Sequence, residues 1–342
     1  MSRRNRKKMS LKTVIIFAAL LIVVVAAYTY RAYTRTIDIG DRVVTVVIKP
    51  GDTLSRIARQ LVDKGVVESK AMLVYPARLM NLDRKLTPGR YDFTGENSCR
   101  SVLARLEAAD FLKVKLTIPE GATKWKVASI VAEKLGLDST TFMALDKDSA
   151  FLAAHELPGL EGYLFPETYF IPWGVDEAYV ANEMIDMFHR QTDTIWPENI
   201  IDGHSRYDIV KLASIVEAET GIKDERRLVA SVYHNRLRKR MKLDADPTVI
   251  YGLGGLDRPL WTKDLRKDSP YNTYMRRGLP PTPINSPGLA SLRAALNPEQ
   301  TDYYYFVADE TGGHYFSKTN AEHNRAKEKI KAALKEKSSG SN

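Results

Sequence analysis

Two carboxylates stand two residues apart in the run DIVKLASIVEAET (208–220), Glu217 and Glu219. A carboxyl held partly out of water keeps its proton to higher pH, because burial disfavours the charged form. Such a group can hand that proton to a leaving oxygen, for instance that of a glycosidic bond. Helix geometry separates the two candidates. At about 3.6 residues per turn they lie about 200° apart, so they face opposite ways and cannot share a proton. Ile209, Leu212, Ala213, Ile215 and Val216 form the apolar stripe. Glu219 falls about 60° from the stripe's centre and Glu217 about 100°. Periodicity therefore favours Glu219 as the acid, with Glu217 as alternate. Against both stands the plain reading of two solvated glutamates on a helix surface.

Other residues are weighed around this pair. Asp244 and Asp246 precede Pro247 in LDADPTVIYGLG (243–254). Pro247 suits a first helical position, with Asp246 as the cap. Hydrolysis by two carboxylates needs a partner roughly 5–10 Å from the acid, and Asp246 is the candidate. His234, His314 and His323 are scattered with no HxxxH or HExxH spacing, and neither G-x-S-x-G nor a phosphate or dinucleotide loop is present. No metal or serine mechanism is expected. His314 in GGHYFS reads as a buried, satisfied histidine before it reads as a substrate contact. The aromatic stretch PGLEGYLFPETYFIPWG (158–174) reads first as an ordered loop packed on its own rings and second as sugar-stacking faces.

The elements that must position these groups follow from pattern. Helices are expected over 207–220, 226–237 and 322–335, a Pro-rich loop over 278–287 and a strand over 303–308. Nearer the N-terminus, VVTVVI (43–48) predicts a strand, Pro50-Gly51-Asp52-Thr53 a turn, and Leu54, Ile57, Ala58 and Leu61 the stripe of a helix over 54–64. IKPGDTLSRIARQL (48–61) returns as IPEGATKWKVASIV (118–131), with Gly51/Gly121 and Thr53/Thr123 in register. Two copies suggest a paired strand–turn–helix unit and not a solenoid.

Length and charge bound the rest. The 342 residues, 44% hydrophobic and 27% charged, suffice for an anchor and two or three modules with real cores. Eight of the nine excess positive charges lie in residues 1–37, which contain no acid, so the basicity is a topology signal and excludes a phosphate-binding surface. A single cysteine, Cys99, rules out an intramolecular disulfide framework. LKTVIIFAALLIVVVAAYTY (11–30) is long enough to cross a bilayer, six cations precede its unbroken apolar run from Val14 to Ala27, and Tyr28 and Tyr30 sit at interfacial depth. A cleaved signal peptide, with Val25 and Ala27 at the cleavage site, is the rival. The uncleaved anchor is favoured, with a cytoplasmic N-terminus and the remainder exported.

Two resemblances complete the reading. PGDTLSRIA resembles the start of LysM modules, which implies docking on N-acetylated glycan. LEGYLFPETY (160–169), ASIVEAET (213–220), ERRLVASVYHNRL (225–237), LDADPTVIYGLG (243–254), SPYNTYMRRGLPPTPINSPG (269–288) and YYFVADETGGHYFSKTNAEHN (304–324) follow in order. Together they resemble the endolytic murein transglycosylases of the YceG-like family. The resemblance implies a bacterial inner-membrane lyase that cleaves the β-1,4 bond between N-acetylmuramic acid and N-acetylglucosamine within nascent peptidoglycan strands. It implies a 1,6-anhydro end, a role in strand termination, and peptidoglycan synthases (penicillin-binding proteins) as partners. It points to Glu219, the second glutamate of E-x-E-T, as catalytic, and to no metal or organic cofactor. Asn235, Asp246, Thr248, Tyr251, Asn272 and Tyr274 lie in the matched phrases as polar groups suited to line a cleft. The expected fold is α+β. It comprises a basic tail (1–12), a transmembrane helix (13–31), a small LysM-like β/α subdomain (43–115), a mixed α/β catalytic domain (116–332, core 158–325) and a flexible tail (333–342). The readings left beside the lyase are a muramidase-type hydrolase pairing Glu219 with Asp246, and a non-catalytic wall-binding scaffold.

Overall fold

The computed structural model describes residues 11–49, 51–82, 88–108, 113–309 and 312–339; the expected basic tail and the end of the C-terminal tail lie largely outside them. The first helix, α1 (Leu11–Thr34), has neither glycine nor proline to break it. Ile15–Thr34 is long and apolar enough to cross a membrane, and none of that stretch is buried in protein. Apolar side chains such as Ile16 and Ile22 stand more than 60% exposed, which water would penalise and hydrocarbon would not.

The chain divides into two units. Residues 1–114 and 170–175 form the first. There β1 (Ile37–Asp38) pairs antiparallel with β4 (Glu96–Asn97), and β2 (Val44–Ile48) with β3 (Gly89–Phe93). Between β2 and β3 come two helices, α2 (Leu54–Asp63) and α3 (Lys70–Leu79), and α4 (Cys99–Glu107) follows. The expected strand and first helix form within a residue or two of their limits. Gly51 takes φ +82° in the turn, which glycine does without a Cβ clash, and the Thr53 hydroxyl accepts from Arg56 N at 3.3 Å to cap α2. Leu54, Ile57, Ala58 and Leu61 are all buried, with Val46, Leu73, Tyr91, Phe93 and Leu103, in one core. Cys99 lies in this core, where burial pushes its thiol up and keeps it unreactive. α3 has no clear sequence signature, because Pro76 sits inside it.

Residues 115–169 and 176–342 form the second unit. β5 (Lys113–Thr117) and β6 (Thr168–Pro172), whose residues are divided between the two units, form a two-stranded sheet. The repeated phrase again makes a turn and a capped helix: Gly121 takes φ +74°, and Thr123 accepts from Lys126 N at 3.3 Å to start α5 (Lys124–Leu135). Short helices α6 (Ser139–Ala144) and α7 (Ser149–Ala154) precede α8 (Glu177–Thr192). Then come α9 (Arg206–Glu219), α10 (Arg226–Arg238), α11 (Asp246–Gly252) and α12 (Leu289–Leu296). The antiparallel hairpin β7 (Tyr305–Ala308) and β8 (His314–Ser317) leads into α13 (Asn320–Ser339). Short paired strands beside many helices, mixed α+β, match the expected class.

α9 is the centre of this unit. Ser205 and Asp208 close a capping box at its start. Its predicted stripe, Ile209, Leu212, Ala213, Ile215 and Val216, is at most 1% exposed, and it packs against α10 and α12. The aromatic loop before β6 is ordered, but its rings pack on α8 and not on one another: Tyr163 and Phe165 both lie against Phe188, and the Tyr169 hydroxyl donates to Phe165 O at 2.5 Å. One glycine lets that loop approach α9. Gly162 has φ +92°, and a Cβ there would fall 2.7 Å from both Val210 Cγ1 and Pro283 Cγ. Gly162→Ala is expected to destabilise the fold by about 3 kcal/mol from overlap and backbone strain together. Chemical denaturation measures this, and an unchanged midpoint would refute the close approach.

Candidate active site

The last residue of α9 is Glu219, after which Thr220 turns to extended backbone (φ −143°) and lets the chain double back as α10. The return brings Tyr233 of α10 beside the carboxyl. Its hydroxyl donates to Glu219 Oε1 at 2.6 Å, while its buried ring meets Phe306 of β7 edge-on, 5.9 Å between centroids. Glu219 and Tyr233 form one wall of a cavity of about 380 Å³ that also takes in Arg236, Asp244, Asp246 and Tyr274, Tyr305 from β7, and His323 and Lys327 from α13. That volume is in the range of small-ligand sites.

Burial pushes the Glu219 pKa from 4.5 up to about 7, and the nearby charge of Asp246 adds to it. The Tyr233 hydroxyl, His314 and Arg236 pull the other way without prevailing. The carboxyl is therefore about half protonated near neutrality, in a cavity open to a ligand, and can both give and take a proton. Asp246 accepts from the Tyr274 hydroxyl at 2.6 Å. Arg236 braces the opposite wall: its Nε donates to Tyr304 O at 2.6 Å, and one terminal nitrogen reaches Leu243 O at 2.8 Å and Asp244 Oδ2 at 3.0 Å.

Glu217 faces the other way. Its Oε1 pairs with Arg226 at 3.1 Å and its Oε2 accepts from Gly288 N at 2.9 Å, so both oxygens are committed to holding α9, α10 and the 281–288 loop together. A third glutamate, Glu161, escapes sequence reading. It is 3% exposed, accepts from Tyr251 hydroxyl at 2.7 Å and Lys124 N at 3.0 Å, and is also pushed up to about 7 by burial.

The six polar candidates separate into three groups. Asp246 and Tyr274 line the Glu219 cavity. Tyr251 lines a neighbouring cavity of about 400 Å³ with Trp125 and Gly254. Asn235, Thr248 and Asn272 are buried with their polar atoms bound to the scaffold. Asn235 Nδ2 donates to Thr301 O and Tyr303 O, both at 2.9 Å, and Thr248 Oγ1 donates to Ala245 O at 2.7 Å. Asn272 Nδ2 donates to Leu265 O and Lys267 O. Asp246 is not the cap of α11: the helix begins one residue earlier than expected, with Ala245 at the cap and Asp246 inside the first turn, which frees its carboxylate for Tyr274. Tyr233, Arg236, Tyr305 and His323 are the cavity residues that sequence reading missed. Of the histidines, His314 Nδ1 pairs with Glu225 at 2.6 Å, and His323 lies in the cavity, stacked on Tyr305.

Comparison with known proteins adds a second line of observation. The model of the YceG-like family matches residues 46–329. An endolytic murein transglycosylase of Bacillus subtilis (strain 168) is 33% identical over 313 residues, covering 86% of each chain. One from Streptococcus pneumoniae (serotype 2, strain D39) is 28% identical over 352 residues, which span 91% of this chain and 63% of that relative. The crystal structure of a YceG-like protein from Listeria monocytogenes superposes with a TM-score of 0.56 at 31% identity, over 84% of this chain and 100% of that one.

The two glutamates of α9 should respond oppositely to substitution. Glu217→Ala removes the buried partner of Arg226, leaving it only the half-exposed Glu120 at 3.5 Å, and is expected to cost about 3 kcal/mol in chemical denaturation. Glu219→Gln should instead relieve a cost. A carboxyl whose folded pKa is raised from 4.5 to about 7 binds its proton more tightly when folded, so its contribution to stability falls as pH rises through that window and is level above it. Relative to wild type, Glu219→Gln should therefore gain stability between pH 5 and pH 8. Parallel pH dependence of the two proteins would disprove the raised pKa.

Proposed function

The chain belongs to the YceG-like family, and from that premise we propose that it is a membrane-anchored peptidoglycan lytic transglycosylase that cuts within glycan strands. Glu219 acts in turn as acid and base. The observation that carries this reading is the Glu219 carboxyl itself, half protonated near neutrality, touched by one hydroxyl and facing a cavity. Protonated Glu219 gives its proton to the oxygen between N-acetylmuramic acid and N-acetylglucosamine as positive charge develops at C1 of the muramic acid. The carboxylate left behind, held by the Tyr233 hydroxyl, takes the proton of that sugar's own C6 hydroxyl, whose oxygen closes on C1. Atoms balance without water, and the product end is a 1,6-anhydro sugar.

The same cavity holds Asp246, and this favours one second reading, a hydrolase in which Asp246 activates water. The products differ by one water. Cutting nascent strands fits a role in ending their growth, close to the synthases that make them. α1 suits a single-pass anchor, and the eight cations of residues 1–37 favour a cytoplasmic N-terminus with both units outside. The strand, turn and capped helix over residues 44–63 support the LysM resemblance and, with it, glycan docking by that unit.

Incubation of the full chain with peptidoglycan, followed by mass spectrometry, tests the chemistry. Anhydro ends are expected, reduced about 100-fold or more in Glu219→Gln; reducing ends in their place would establish the hydrolase. The rate should decline as pH rises through about 7, where Glu219 loses its proton. Tyr233→Phe removes the donor that favours the carboxylate. It should slow turnover about ten- to a hundredfold and move the alkaline limb to higher pH. A limb that stays in place would separate Tyr233 from the proton transfer.

A further inference from the structure

No HxxxH or HExxH spacing marks a metal site along the chain, yet the fold brings three candidate ligands together. One ligand atom each of Asp202, His204 and His234 lies within 4.8 Å of the other two. His234, on α10, is 0% exposed, and its Nε2 stands 2.8 Å from the backbone oxygen of Ala295. A carbonyl can only accept, so Nε2 carries the hydrogen. In the neutral ring Nδ1 is then a lone pair, and it faces Asp202 Oδ2 at 3.3 Å. Two acceptors so placed repel unless something positive lies between them. The backbone bends to create this encounter. Asp202 adopts φ +55°, a left-handed conformation rare outside glycine, and Gly203 follows at +70°. The bend delivers His204 beside His234, with ring centroids 5.6 Å apart at 60°.

The geometry points to a binding site for a divalent transition-metal cation, with zinc(II) the best match, formed by Asp202, His204 and His234. Two imidazoles and one carboxylate, with water in the fourth position, form an established zinc donor set. The hydrogen bond from Nε2 to Ala295 is the kind that fixes tautomer and ring orientation in metal-bound histidines. Arg238 Nε is 3.6 Å from Asp202 Oδ2 and competes for it. Its guanidinium is, however, largely exposed and already donates to Asn235 Oδ1 at 2.7 Å, so it can yield to a cation. The proposed reaction at Glu219 draws nothing from this site. The metal would clamp the 201–204 turn to α10, the helix that carries Tyr233.

The test is calorimetric titration of the chelator-treated full chain, in detergent, with zinc chloride, alongside thermal unfolding. One zinc per chain is expected, with a Tm that rises with free zinc. His204→Ala and Asp202→Asn should each weaken binding at least about tenfold and abolish the rise in Tm. Zinc-free unfolding of each variant checks that it still folds, since neither side chain is part of the core. No zinc bound by the wild type, or equal affinity in folded variants, overturns the proposal.

Discussion

A carboxylic acid kept partly dry, with a single hydroxyl for company, is the constraint on which the second unit is organised. The charge of its partners decides its character. Asp264 receives the Arg258 guanidinium at 2.7 and 3.1 Å and Trp261 N at 3.0 Å, and these hold it well below the usual carboxylate range. Among the described residues Glu219 receives only the neutral Tyr233 hydroxyl, and desolvation prevails. A guanidinium as close to Glu219 as Arg258 is to Asp264 would pull it back towards an ordinary carboxylate, spent as an acid at neutral pH. The packing around the end of α9 must therefore exclude water and close cations while leaving one side open.

The same helix carries the means of doing so. Glu217, a little over half a turn away, joins Arg226 of α10 to the amide of Gly288. One turn earlier Ser214 anchors the Pro-rich loop: its hydroxyl accepts from Ile284 N at 3.0 Å, and its carbonyl accepts from Asn285 at 2.8 Å. A Cβ at position 288 would approach Glu120 Oε1 to 2.0 Å and would displace that carboxylate. Two carboxylates two residues apart thus divide the work. One is satisfied and fixes the elements, and the other is left wanting.

Much of this was legible in the chain. The apolar stripe of α9 placed Glu219 nearer the core than Glu217, and the repeated turn predicted Thr53 and Thr123 as caps, because both follow from helix period and local hydrogen bonding. What stayed hidden depends on distant segments meeting. Tyr233 lies 14 residues from Glu219 and carries no local mark. Tyr305 and His323 reach the cavity only because the β7–β8 hairpin turns α13 towards it. Asn235, Thr248 and Asn272 looked suited to a ligand because they are polar, but their partners are backbone carbonyls that no spacing reveals. Asp246 was placed one position out of the helix by the rule that proline prefers the first helical site; here Pro247 occupies the second.

A raised pKa alone does not mark the reacting group, and Glu161 makes the point. Burial lifts it to the same value of about 7 as Glu219. Yet it is 3% exposed, and each of its oxygens has a donor, Tyr251 on one and Lys124 N on the other. A sugar oxygen cannot reach it without displacing Tyr251, whose ring also packs on Trp125 at 5.1 Å. Its two hydrogen bonds tie the 158–165 loop to α5 and α11. Glu219 is raised to a similar value but has one bonded oxygen and a cavity. Desolvation sets when a carboxyl holds its proton, whereas access determines whether that proton can be used.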